Sequence, residues 1–399
     1  MLKKLIHTLL ITSSALLSGA SLAQTPAPVP ALDSVAASLP IVPTAPQLAA
    51  TSYLLIDANS GAVLVEQNAD QPLPPASLTK MMTSYIASLE LMRGQIKEDD
   101  LVLVSEKAWR KGGSKMFIEV GNQVKVIDLL RGIIIQSGND ASIAMAEHIA
   151  GSEEAFADLM NAHAQRLGMT NTHFENSTGW PAEGHVSSAR DLATMAKAII
   201  RDDPEHYGIY KEKEFFWNGI KQPNRNLMLW RDSTVDGLKT GHTEEAGYCL
   251  VASAERDGMR LISVVMGTDS EAARASETQK LLTWGFRFFE TKTFYQPGEV
   301  LSTGRVWAGE ENAVDVGLAN GLVLTLPKGQ LEKLQASTTM DSPLKAPITA
   351  GDVLGQVEVR NGDEVVHTAP LVALADVAEA GIFGRLWDSI RLFFYGLFN

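Results

Sequence analysis

Ser77-Leu78-Thr79-Lys80-Met81-Met82-Thr83-Ser84-Tyr85-Ile86 is the stretch from which this chain is best read. Leu78, Met81, Met82, Tyr85, Ile86, Leu89 and Met92 recur at three and four residues, the spacing of an amphipathic helix. Ser77 and Lys80 stand three apart on its first turn, where such side chains meet. The first N–H groups of a helix have no intrahelical acceptor, so that of Ser77 is free to face an oxyanion. A serine with an amine beside it at a helix start is the beginning of a nucleophilic site that uses lysine as base. Ser342-Pro343-Leu344-Lys345 repeats the Ser-x-x-Lys pattern. There proline follows the serine at once, in a stretch without helical period, which does not hold both side chains on one face.

Two further motifs follow in order, each occurring once. Ser137-Gly138-Asn139 joins a hydroxyl to an amide ahead of a predicted helix over Asp140–Ala150, and Lys239-Thr240-Gly241 is a cationic stretch of predicted strand. Taken singly, each has a structural explanation. Ser77 and Lys80 read as a cap and a solvated lysine, Asn139 or Asp140 as a helix cap, and the third motif as an exposed strand edge. The functional reading uses all three at once.

The set resembles the penicillin-binding proteins, most closely the low-molecular-mass D-alanyl-D-alanine carboxypeptidases. Val235-Asp236-Gly237-Leu238-Lys239-Thr240-Gly241-His242-Thr243 and Leu281-Leu282-Thr283-Trp284-Gly285-Phe286 share the family's look. The resemblance implies removal of the terminal D-alanine from peptidoglycan stem peptides through an acyl-enzyme on Ser77, without a cofactor, and β-lactams as covalent inhibitors. Lys80 then serves as base, its pKa lowered by burial and by Lys239. Ser137 relays a proton to the leaving amine, and Asn139 bonds the substrate backbone. Lys239 and Thr240 hold the terminal carboxylate, Gly241 admits substrate close to the strand, and the N–H of His242 joins that of Ser77 as oxyanion donor. Arg274, carried from the family pattern, completes the carboxylate site; its alternative is a surface arginine. Asp191 is read as a first-turn helix acid and not a catalyst. The middle motif is Ser-Gly-Asn and no Glu-x-x-Leu-Asn follows it, which argues against rapid β-lactam hydrolysis. A β-lactamase, a D,D-endopeptidase and a turnover-deficient structural penicillin binder stay compatible with the same residues.

Composition narrows the classes further. Residues 1–23 read as an export signal: Lys3 and Lys4, an apolar run from Leu5 to Leu17, then Ser21-Leu22-Ala23. Removing them leaves 32 basic against 47 acidic residues, a balance that disfavours nucleic acid as partner. The single cysteine, Cys249, permits no internal disulfide and reads as a small core residue. The histidines show no metal-ligand spacing, so no metal is expected. Gly112-Gly113-Ser114-Lys115 lacks the order of a phosphate loop and is read as a mobile loop.

The fold class is α+β. A Pro/Ala-rich linker, 24–47, is expected to be extended and uncored. The catalytic domain, 48–291, opens with a hairpin (Ser52–Asp57, Ala62–Glu66), continues in helices such as Ile127–Ile135, Ala155–Leu167 and Ala189–Arg201, and returns to strands at Val235–Gly241, Tyr248–Ala254 and Arg260–Met266. A helix over Glu271–Phe289 ends it. Strands at both ends with helices between imply an antiparallel sheet closed by the two ends. Residues 292–375 read as a small β-sandwich, with hairpins through Asn320-Gly321 and Asn361-Gly362. In 376–399, Phe383, Leu386, Trp387, Ile390, Phe394 and Leu397 recur at helical spacing between Arg385, Asp388 and Arg391. Three charges keep that helix from crossing a bilayer, so it is expected to lie on the membrane surface. That places the chain on the periplasmic face of the inner membrane.

Overall fold

The computed structural model describes residues 42–398. The leader expected at 1–23 and linker residues 24–41 lie outside the described residues. From Val42 the linker is already docked, contrary to expectation. Val42 and Ala45 pack against the core beside Trp284, whose indole Nε1 donates to the Pro43 carbonyl at 3.2 Å.

Five strands form the catalytic sheet: β1 (Ser52–Asp57), β2 (Val63–Gln67), β3 (Val235–Thr243), β4 (Gly247–Arg256) and β5 (Met259–Thr268). Their order is β2-β1-β5-β4-β3, antiparallel throughout, with β5 central between β1 and β4. The first strand thus joins the last ones, as the sequence implies, and β3 is left at an edge. Alternate residues of β4 serve two cores. Cys249 and Val251 face the helical side, while Leu250, Ala252 and Ala254 face the terminal helix. With both faces covered, the middle strands carry almost unbroken apolar runs.

On one face lie α1 (Lys80–Met92), α2 (Asn139–Ala150), α3 (Glu153–Arg166) and α4 (Ala189–Asp202); α5 (Glu271–Phe288) covers the other. Ser152, Ser188 and Ser270 cap α3, α4 and α5, each accepting from the N–H three residues on, which sets where these helices begin. Asp191 in the first turn of α4 accepts from Asn171 N and Thr172 Oγ1, both at 2.8 Å, a structural role. Phe156 on α3 is fully buried in the helical-side core; truncating such a ring typically costs about 3–5 kcal/mol. The helix expected over 127–135 is broken in two: an α-turn over Val126–Arg131, then a π-helical turn over Gly132–Gln136. Gly132 is required there, because a Cβ would lie 2.3 Å from Met116 Sδ.

The chain passes from α5 directly into the second domain, which has strands β6 (Phe289–Tyr295), β7 (Val300–Trp307), β8 (Ala313–Gly317), β9 (Leu322–Pro327), β10 (Leu334–Met340), β11 (Leu344–Lys345), β12 (Val353–Asn361) and β13 (Glu364–Ala373). The six-stranded sheet runs β10-β12-β13-β8-β7-β11, and β6 pairs with β9 separately. The hairpin through Asn361-Gly362 forms, with Asn361 opposite Glu364. The one expected through Asn320-Gly321 does not. β8 already has β7 and β13 on its two edges, so the chain leaves that sheet and β9 pairs with β6. Hydroxyls tie this pair to the catalytic hairpin, with Thr291 Oγ1 on Asp57 Oδ2 at 2.8 Å and Thr325 Oγ1 on Ser60 Oγ at 2.6 Å. Ser342 to Lys345 lies in this domain, with Leu344 and Lys345 in strand, so the second Ser-x-x-Lys is not a helical site.

The tail is a helix, α6 (Ile382–Phe398). Its polar side is docked: Asp388 is buried and accepts from Ala308 N at 3.0 Å, and Arg385 pairs with Glu379 at 2.8 Å. Ile382, Phe383, Leu386 and Trp387 face outward, 60–89% exposed. The side chains of Phe394 and Leu397 lie outside the described residues. Among those described, no helix is long and apolar enough to cross a membrane.

Candidate active site

Ser77 does not stand in α1 itself but in a single 3₁₀ turn, Ala76–Thr79, that leads into it. In that tighter winding, side chains at i and i+3 eclipse. Lys80 Nζ accordingly lies 2.9 Å from Ser77 Oγ, and it donates to the Thr178 carbonyl at 2.5 Å. Lys80 is fully buried, and its pKa falls to about 7. Burial is the first cause and the Arg225 charge the second, with Asp140 and Glu153 opposing. Sequence reasoning assigned the second cation to Lys239. Arg225 acts in that role too, and the charges of Lys80 and Lys239 disfavour one another.

Ser137 follows the π-turn in a left-handed conformation, φ 63° and ψ 37°, which turns its hydroxyl into the cleft. The Oγ is buried and has no hydrogen-bond partner among the described residues. A buried hydroxyl left without a partner calls for an explanation, and a ligand or reacting group supplies one. Asn139 opens α2 and donates from Nδ2 to the Gly112 carbonyl at 2.8 Å. Next to it, Asp140 accepts from Met116 N and Phe117 N, both at 2.8 Å, and from Ala141 N at 2.9 Å. The Gly112–Lys115 stretch, expected to be mobile, is thereby pinned, and Gly113 and Ser114 form one wall of the cleft.

The opposite wall is β3. Lys239 is buried and its Nζ donates to the Thr240 carbonyl at 3.2 Å; burial, then Lys80, Arg225 and Arg274, hold its pKa well below the usual lysine range. Gly241 lets the strand approach the nucleophile turn, since a Cβ there would come 2.9 Å from the Pro75 carbonyl oxygen. The His242 ring stacks on Tyr248 with centroids 3.9 Å apart. Arg274 is not a surface arginine: it is buried on α5, donates to the Gly241 carbonyl at 3.3 Å and pairs with Glu271 at 3.3 Å. Ser77, Ser137, Asn139, Thr240, Gly241, His242 and Arg274 line one cleft of about 900 Å³, with Lys80 and Lys239 buried beside it. Cys249 takes no part; it is buried, and burial pushes its thiol up to about 11.

Several lining residues had no signal in the sequence. Arg225, at the rim, makes no hydrogen bond or ion pair among the described residues, and its only mark is that it is basic. Trp180 is half exposed, with Lys111 Nζ 4.6 Å from its ring centroid. Thr178 and Gly179 belong to Asn176-Ser177-Thr178-Gly179, whose turn composition was legible but whose place beside Lys80 was not.

A serine–lysine pair at a helix start, faced by a basic edge strand and an unpartnered serine, defines a serine peptidase of the acyl-enzyme class. The chain belongs to the D-alanyl-D-alanine carboxypeptidase family, whose profile matches residues 40–270; that of the penicillin-binding protein 5 C-terminal domain matches 289–379. It is 48% identical over 363 residues to D-alanyl-D-alanine carboxypeptidase DacC of Escherichia coli K12, covering 89% of this chain and 91% of that one. DacA of the same organism is also 48% identical, over 367 residues, covering 90% and 91%. Penicillin binding protein 5 from Haemophilus influenzae superposes with a TM-score of 0.80 at 46% identity, covering 84% of this chain and 99% of that one. Penicillin-binding protein D2 from Listeria monocytogenes in its ampicillin-bound form matches at 31% identity and a TM-score of 0.56, over 60% and 100% of the two chains.

Proposed function

We propose that this chain removes the terminal D-alanine from peptidoglycan stem peptides, with Ser77 as nucleophile and Lys80 as base. The observation that carries the assignment is the Ser77 Oγ–Lys80 Nζ contact of 2.9 Å, with the amine buried and its pKa near 7. A lysine in that state is neutral in a large fraction of molecules at neutral pH, as a general base must be. Lys80 takes the Ser77 proton as Oγ attacks the carbonyl carbon of the penultimate D-alanine. The N–H groups of Ser77 and His242 receive the oxyanion, each such donor being worth about 3 kcal/mol. As the tetrahedral intermediate collapses, the C–N bond breaks and the amine of the terminal D-alanine takes a proton through Ser137 Oγ. Water then attacks the ester and restores Ser77.

Lys239, Thr240 and Arg274 receive the terminal carboxylate, whose charge favours the protonated form of Lys239 that burial disfavours. A β-lactam follows the same first step, but its leaving nitrogen stays attached to the acyl group. Export rests on the pattern of residues 1–23, and attachment to the periplasmic face of the inner membrane on the outward apolar side of α6. Labelling with a fluorescent penicillin, followed by peptide mapping, tests the nucleophile: the adduct should map to Ser77. Release of D-alanine from a diacetylated L-lysyl-D-alanyl-D-alanine tripeptide tests the reaction. An adduct elsewhere, or no release, refutes the assignment.

A further inference from the structure

We infer that Asn176 is a positioning residue for the general base: it folds the loop whose Thr178 carbonyl holds the Lys80 amine against Ser77. The inference rests on Lys80 acting as base. Asn176 Oδ1 accepts from Thr178 N at 3.1 Å, Thr178 Oγ1 at 2.8 Å, Gly179 N at 2.9 Å and Trp180 N at 3.1 Å, while its Nδ2 donates to Trp180 O at 2.9 Å. One side chain thus closes residues 177–180 into a single turn. Glu153 secures the loop from α3, accepting from Ser177 N at 3.2 Å and Ser177 Oγ at 2.9 Å, and Thr83 Oγ1 on α1 donates to Ser177 O at 2.7 Å. The turn leaves the Thr178 carbonyl pointing at Lys80 Nζ, 2.5 Å away.

A neutral amine has two N–H bonds and one lone pair. With one N–H committed to Thr178 O, rotation about Cε–Nζ is restrained and the lone pair can be presented to the Ser77 O–H. The same loop closes water out of the Lys80 site, and desolvation disfavours the ammonium. The charged groups facing Lys80 come from several elements: Asp140 on α2, Glu153 on α3, Lys239 on β3, and Arg225 and Lys111 from loops, with His185 nearby kept neutral by burial. None of them is Asn176, so replacing it changes loop geometry and hydration and removes no charge.

In Asn176→Ala, the N–H groups of Thr178 and Gly179 and the Thr178 O–H lose their acceptor, Trp180 N keeps only Thr178 Oγ1 at 3.1 Å, and the turn opens toward water. Hydrating Lys80 raises its pKa, so the acid limb of the acylation pH profile should move up by about one unit, a fall of about fivefold at pH 7 and about tenfold below pH 6 that recovers by about pH 9. The measurement is the fluorescent-penicillin acylation rate of the full chain from pH 5 to 10, with Lys80→Ala alongside. An unshifted limb in Asn176→Ala, whether its rates are unchanged or lowered equally at every pH, overturns the inference. If Lys80→Ala still acylates normally, it is the base assignment that fails.

Discussion

Gly179 offers a sharp test of how the oxyanion donor is held. It has φ +79°, and a Cβ built there lies 1.7 Å from the Ala76 carbonyl oxygen and 2.3 Å from its carbon. Real Cβ atoms do not come nearer than 3.0 Å, so in Gly179→Ala the Ala76 carbonyl must retreat by about 1.3 Å. That carbonyl belongs to the same planar peptide as the Ser77 N–H, so the displacement swings the oxyanion donor with it. Alanine in the left-handed region costs roughly 1–2 kcal/mol, and forcing packed groups apart adds about 1–3 kcal/mol. A misaimed donor should slow acylation by about 10²–10³. Gly151 is the control: its φ is +83°, but a Cβ would meet nothing within 4 Å, so Gly151→Ala bears only the conformational cost. Acylation rates with a fluorescent penicillin, read beside denaturant midpoints, separate the two effects. Should Gly179→Ala acylate within threefold of Gly151→Ala, the Ala76–Ser77 peptide does not depend on Gly179 and the reasoning fails.

The remaining expectations concern the base, the carboxylate site and the tail. The acylating form has Lys80 neutral, so the rate should rise with pH through a midpoint near 7 and be lost below it; a flat profile between pH 5 and 9 would speak against Lys80 as base. Because burial holds Lys239 well below its usual range, binding a carboxylate ligand at a pH where the free lysine is neutral should draw a proton into the protein. Calorimetry in buffers of different ionisation enthalpy reads that uptake, and an equal uptake by a neutral-amide analogue counts against the site. Lys239→Ala should weaken the carboxylate ligand by tenfold or more while leaving the amide analogue nearly unaffected. Deleting residues 378–399 should abolish binding to anionic vesicles and leave D-alanine release unchanged; loss of the fold on deletion would show α6 to be a core element.

Much of the site was readable because it is written in short motifs with fixed spacing. Ser77 and Lys80 need one helical turn, and Lys239, Thr240 and Gly241 need one strand, so local chemistry reveals them. The closed antiparallel sheet was also legible, since strand patterns appear only at the two ends of the catalytic stretch. What escaped depended on partners far along the chain. Arg225 and Trp180 reach the cleft, and Asn176 shapes the loop beside it, through tertiary folding, with no spacing to mark them. The Asn320-Gly321 turn has the composition of a hairpin, but composition does not record that both edges of β8 are taken. The Gly112 loop looked free because its anchor, Asp140, is 22 to 24 residues from the N–H groups it binds.

The position of β3 at the end of its sheet has a further implication. An unpaired strand edge is ordinarily a hazard, a template on which other chains can grow a sheet. Here residues of the edge line a cleft whose other walls are the Trp180 loop, Gly113 and Arg274 of α5, so the edge is set among neighbours and not left open along its length. A strand read along its main chain is recognised by N–H and C=O groups that every residue shares, with side chains consulted only at alternate positions. If substrate is read in that way, stem peptides of differing composition should be cleaved at similar rates provided they arrive extended and end in a carboxylate.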